Sequence, residues 1–76
     1  MYTTEIKPKG AEEAEVTEGL DREVAERVVA RAIADRRGHE EVQPGDEEDA
    51  RDLVYDCRHG GVGSLCDDDV RVRYAE

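Results

Sequence analysis

The sequence predicts an α+β fold in the order β-β-α-α-β-β, a small antiparallel sheet with two helices packed on one face. Three observations carry this expectation. Apolar residues alternate with polar ones near both ends of the chain, apolar pairs recur every four residues between Leu20 and Arg37, and a narrower stripe of helical period runs from Asp46 to His59. Seventy-six residues leave room for one domain, residues 1–76, and the sequence shows no internal repeat.

Tyr2, Thr4 and Ile6 alternate with Thr3, Glu5 and Lys7, the period of a half-buried strand. Pro8, Lys9 and Gly10 supply a turn, and Ala14 and Val16 alternate with Glu13, Glu15 and Thr17 in a second, Glu-rich arm of a hairpin. Leu20 and Asp21 open the first helix, which runs to Arg37 with Asp21 as N-cap and Gly38 as the C-terminal glycine. Its apolar positions Val24, Ala25, Val28, Val29, Ala32 and Ile33 cover about half the cylinder at ~100° per residue, enough to touch two neighbours. Glu23 with Arg27 and Arg31 with Asp35 have the four-residue spacing of helical ion pairs.

His39 to Gly45 reads as a connection containing Pro44. Asp46 then caps a second helix that extends to His59, with Glu47, Glu48 and Asp49 in its first turn, where negative charge complements the helix dipole. Ala50, Leu53, Val54 and Cys57 form its buried stripe, and Gly60 and Gly61 end it. Val62 to Cys66 is a third strand and Asp67, Asp68 and Asp69 a turn. Val70, Val72 and Tyr74, alternating with Arg71, Arg73 and Ala75, make the fourth strand.

Charge narrows the function classes. Twenty-one acidic against 11 basic side chains give a net charge of −10, which disfavours direct binding to nucleic acid or to anionic membranes, because both recruit proteins through their phosphates. Without a long apolar run or a charged-then-apolar leader, a cytoplasmic location is expected. The charge is also uneven. Residues 20–38 carry a net +1 and residues 39–60 a net −6, so the second helix is the negative pole. A chain this short buries only about 60% of its unfolded surface, and association into a homodimer is one way to enlarge so thin a core.

With the apolar stripe of the second helix turned inward, Asp49, Asp52 and Asp56 fall on the outer flank, with Tyr55 and His59 beside them. Asp46, Glu47, Glu48, Asp49, Asp52 and Asp56 place six carboxylates within about 15 Å of helix, where duplex DNA holds about nine phosphates. Glu48, Asp49, Asp52, Tyr55, Asp56 and His59 are therefore the candidate partner-binding residues, with Tyr55 as an aromatic anchor for a basic protein or nucleoprotein complex. The blander reading of the same residues is a solvated acidic helix face, in a host adapted to salt or not.

Other chemistry finds less support. Cys57, His59, Cys66 and His39 include the atoms of a zinc site, but Cys57 and His59 lie about 200° apart around a helix and no C-x-x-C pair is present. Two cysteines are too few for a disulfide framework, and idle thiols are the default, with a Cys57–Cys66 bridge or a link between two chains through Cys66 as alternatives. The Asp67–Asp69 triplet lacks the glycine and bidentate glutamate of a calcium loop. Ser64 has no histidine at motif spacing, and the glycines at 60, 61 and 63 follow a helix and lack a lysine, so neither a nucleophile elbow nor a phosphate loop is indicated. No catalytic residue, cofactor or metal is expected.

In size, charge and lack of catalytic motifs the chain resembles phage-encoded inhibitors, the class that includes anti-CRISPR proteins and DNA mimics. The resemblance covers bulk properties of the whole chain and carries over no residue. It implies a non-enzymatic inhibitor that blocks a basic nucleic-acid-binding surface of a partner protein. The alternative expectation is a structural or assembly subunit of a viral particle or protein complex, docked through the broad first helix, with Val29 and Ile33 in the contact.

Overall fold

The alternating segments at the two ends of the chain become the middle of one sheet. In a computed structural model, which describes residues 1–8, 10–60, 62–65 and 69–75, the elements follow as β1 (Tyr2–Ile6), β2 (Glu15–Leu20), α1 (Arg22–Arg36), α2 (Pro44–Gly60), β3 (Val62–Leu65) and β4 (Val70–Tyr74). The α+β class and the order β-β-α-α-β-β are as the sequence predicts. The sheet has four antiparallel strands in the spatial order β2-β1-β4-β3, so the two hairpins join through their first and last strands.

Register explains which side of the sheet is covered. Tyr2 faces Tyr74, Thr4 faces Val72 and Ile6 faces Val70, so these six side chains share a face. Tyr2, Thr4, Val70 and Val72 are buried on it. Thr3, Glu5, Arg71 and Arg73 occupy the other face, where Glu5 pairs with Arg73 and, at 3.8 Å, with Arg71. The helices form the second layer on the apolar face: α1 lies against β1 and β4, α2 against β3 and β4, and the two pack on each other. Among the described residues Ile33, Val29, Val54, Val70 and Val72 are large apolar side chains removed completely from water, each worth about 1.5–3 kcal/mol.

The termini of α1 are built as the sequence suggests. Asp21 stays extended and its Oδ1 accepts from the Val24 N–H at 2.9 Å. At the other end Gly38, with φ +79°, lets the His39 N–H reach the Ala34 carbonyl at 2.9 Å and its own N–H reach Asp35, the paired bonds of a Schellman stop.

Two elements differ in their bounds from expectation. Strand β2 lies later than 13–17 and ends on Leu20, because the chain remains extended up to the Asp21 cap. It also holds an extra residue between the Tyr2–Leu20 and Thr4–Thr17 pairs, taken up beside Gly19 at φ +72°. Helix α2 starts at Pro44, not Asp46. Proline at the first helical position gives up no hydrogen bond, and Gln43 takes the N-cap place. The sequence assignments to Lys9, Gly61, Cys66, Asp67 and Asp68 lie outside the described residues.

Candidate functional site

Asp46 is the third residue of α2, and its role follows from that position. Its Oδ2 accepts from the Gln43 N–H at 2.9 Å, the backward half of a capping box. The same carboxylate meets His39 Nδ1 at 2.8 Å and the Arg37 guanidinium at 3.0 Å, and it is fully buried. The hydrogen bond to His39, then those from Gln43 and Arg37, hold the Asp46 carboxyl down at about 2 against the desolvation that opposes them. Arg37 also reaches Asp49 at 2.5 Å, and these two carboxylates push the guanidinium up from its ordinary value. Arg37 thus ties the end of α1 to the start of α2.

This clamp corrects the expected acidic ladder. Asp46 is an internal strut and not an exposed N-cap, and Asp49 is half-buried against Arg37. Of the six carboxylates counted along the helix, Glu47, Glu48, Asp52 and Asp56 are exposed and, among the described residues, in no ion pair.

The rest of the surface of α2 is zoned by the helical period. With Asp46, Ala50, Leu53, Val54 and Cys57 inward, Glu48, Asp52, Tyr55 and His59 fall on the outermost line. Asp49 and Asp56 take one flank, and Arg51 and Arg58 the flank towards α1. Tyr55 is 65% exposed, and its ring lies 4.4 Å from that of His59 at 48°. Glu48, Asp52, Tyr55, Asp56 and His59 therefore do share an exposed face, and Asp49 is the one candidate drawn away from it.

Pattern alone missed what stands beside Tyr55. A cleft of about 580 Å³ between the start of α1 and the end of α2 is lined by Tyr55 and His59 together with Arg22, Arg51 and Arg58. Glu26 and Asp52 also face it, and Tyr2 forms part of its wall. Arg58 lies over the Tyr74 ring at 5.6 Å, and Tyr74 in turn packs on Tyr2 with ring centroids 4.9 Å apart. Arg51 and Arg58, seven apart, advertise a shared helix flank, but only the folding of α1 brings Arg22 to them.

The remaining candidates have separate surroundings. His39 sits on Asp46, and His59 stacks on Tyr55. Cys57 is fully buried, its Sγ donating to the Val54 carbonyl at 3.2 Å; burial, then Asp56, pushes its thiol up. Among the described residues no three His, Cys, Asp or Glu side chains are arranged to hold a metal ion, and no helix is long and apolar enough to cross a membrane.

On α1, Val29 and Ile33 are fully buried in the core, so neither is available for docking as expected. The half-buried Val24 and Val28 instead line a groove of about 670 Å³ with Ile6 and Val42, rimmed by Lys7, Arg27, Arg31 and Arg36. Arg31 is held there by Asp35 at 2.6 Å and Arg36 by Asp69 at 2.5 Å. No family model, curated protein or solved structure matches this chain.

Proposed function

We propose that the protein is a small non-enzymatic binding protein that occupies a basic surface of a partner through the outer face of α2, acting as an inhibitor that competes with nucleic acid for that surface. The observation that carries this reading is Tyr55, a large aromatic side chain left 65% exposed on α2, with Glu48, Asp52 and Asp56 exposed around it. An exposed aromatic ringed by charge has the make-up of an interface anchor, and unpaired surface carboxylates accelerate encounter with a cationic groove. With Asp46 and Asp49 engaged internally, the negative density is lower than that of duplex DNA. The partner is then recognised by the tyrosine and a short acidic flank, not by charge density alone.

The test is recovery of a nucleic-acid-binding complex from host lysate on the immobilised chain, followed by salt titration and substitution. Binding should weaken steeply with salt and in the Asp52→Asn/Asp56→Asn variant, and Tyr55→Ala should cost about 2 kcal/mol or more. Glu13→Gln, which removes a charge far from this face, should leave it unchanged. A loss per charge removed as large in Glu13→Gln as in Asp52→Asn/Asp56→Asn, with Tyr55→Ala unchanged, would mean that bulk charge, not the α2 face, does the binding.

A second reading, an assembly subunit, is favoured by the half-buried Val24, Val28, Ile6 and Val42 in the groove beside α1. Association of that kind would resist salt and depend on Val24 and Val28.

A further inference from the structure

The distribution of arginines on this acidic chain is uneven in a way that the α2 docking face does not explain. Nine arginines share the chain with 21 acidic side chains. Arg31, Arg36, Arg37, Arg71 and Arg73 have a carboxylate partner. Among the described residues Arg22, Arg27, Arg51 and Arg58 do not, and three of these four line the cleft beside Tyr55. The three guanidiniums, in no ion pair among the described residues, outnumber the two carboxylates of Glu26 and Asp52 that line the cleft with them, an excess of positive charge that an anion between them would relieve.

We infer that this cleft binds a small phosphate ester with an aromatic ring, of the mononucleotide class. Arg22, Arg51 and Arg58 hold the phosphate, for which the planar guanidinium offers paired N–H donors. Arg22 is also the first residue of α1, where the helix dipole adds positive potential. The exposed Tyr55 ring, braced from one side by His59, gives the ligand's ring a surface to stack on. Glu26 and Asp52, which face the same cleft and pair with none of the three arginines, accept from hydroxyl or amino groups, which bare phosphate lacks. A volume of about 580 Å³ suits a ligand of that size and is generous for inorganic phosphate. The net charge of −10 does not prevent binding, because at physiological salt exposed charges are screened beyond about 8 Å, and within the cleft three arginines stand against two carboxylates.

The cleft shares Asp52, Tyr55 and His59 with the docking face proposed on α2, but its test needs no partner. The full chain is titrated with adenosine 5′-monophosphate, and in parallel with adenosine and with inorganic phosphate, by calorimetry and by tyrosine fluorescence. Saturable binding of the nucleotide is expected, at least tenfold tighter than either fragment. Arg51→Gln and Arg58→Gln should each weaken it at least tenfold, while Tyr55→Leu should weaken the nucleotide and leave phosphate unchanged. Arg51 is exposed, so its variant reads binding without the loss of stacking that Arg58→Gln brings at Tyr74. No saturation by about 10 mM nucleotide at low salt, phosphate binding as tightly as the nucleotide, or affinity unaltered in Arg51→Gln each overturns the assignment. In the lysate experiment Asp56→Asn alone, at a residue that does not line the cleft, remains a separate readout of the docking face.

Discussion

Gly63 sets the height at which α2 rides over the sheet, and replacing it with alanine tests the packing that positions the whole candidate face. In β3, Gly63 lies opposite Val72 on the covered side and directly beneath Leu53 of α2. A Cβ built there would stand 2.8 Å from Leu53 Cδ1, 3.3 Å from its Cγ and 3.0 Å from its carbonyl oxygen, where carbon contacts normally settle at about 3.5–4.0 Å. The Cδ1 methyl can swing aside, but the carbonyl oxygen moves only with the helix. Overpacking of this kind costs about 1–3 kcal/mol. Removing glycine's freedom in the unfolded chain offsets about 0.4–1 kcal/mol of that, so Gly63→Ala should be net destabilising. Each kcal/mol lost lowers the melting temperature of a domain this size by about 4–8 °C, which thermal and urea denaturation followed by circular dichroism resolve. Leu53→Val, which removes the nearest methyl, should then cost less in the Gly63→Ala background than in the wild type, with a coupling of about 0.5 kcal/mol or more. An alanine variant as stable as the parent, or additive double-mutant energies, would refute the close approach.

Two further predictions concern buried polar groups. Asp46 has its ordinary value of 3.8 lowered to about 2, so its contribution is complete above pH 3.8 and is lost as pH falls through about 2. Asp46→Asn should therefore melt below the wild type at neutral pH, with the gap closing in acid; a gap independent of pH would show that the clamp is not electrostatic. Thr4 is fully buried beside Val72, and its Oγ1 has no hydrogen-bond partner among the described residues. Thr4→Val replaces that hydroxyl with a methyl of the same shape and should raise stability by about 1 kcal/mol in urea denaturation, whereas a loss would reveal a partner for the hydroxyl.

Much of the architecture was legible because it depends on local rules. The alternation of Tyr2, Thr4 and Ile6 and of Val70, Val72 and Tyr74 marks one face on each of two strands, and that face is the covered one. Asp21 and Gly38 bracket α1 through hydrogen bonds that span only a few residues. The start of α2 was misplaced by two residues because two local signals compete. Asp46 reads as an N-cap, yet Pro44 suits the first helical position, and a helix that starts there lets the Asp46 carboxylate reach back to the Gln43 N–H.

The candidate face was half legible. Helical period placed Asp52, Tyr55 and Asp56 outside, and they are outside. It also placed Asp49 there, and Arg37, twelve residues earlier, draws Asp49 aside. Which carboxylates are consumed depends on where the end of α1 lands, and a charge count along one helix holds no record of the neighbouring helix.

By itself the sequence determined the element types, their order, the buried stripe of each helix and the exposure of Tyr55, since period, caps and charge act over a single turn or strand. Tertiary structure alone decided that β1 and β4 pair at the centre of the sheet, that Val24 and Val28 border a groove while Val29 and Ile33 are sealed, and that Arg22 meets Arg51 and Arg58 at one cleft. Each of these turns on contacts between residues far apart in the chain, whose geometry is settled only when both layers close on their common core.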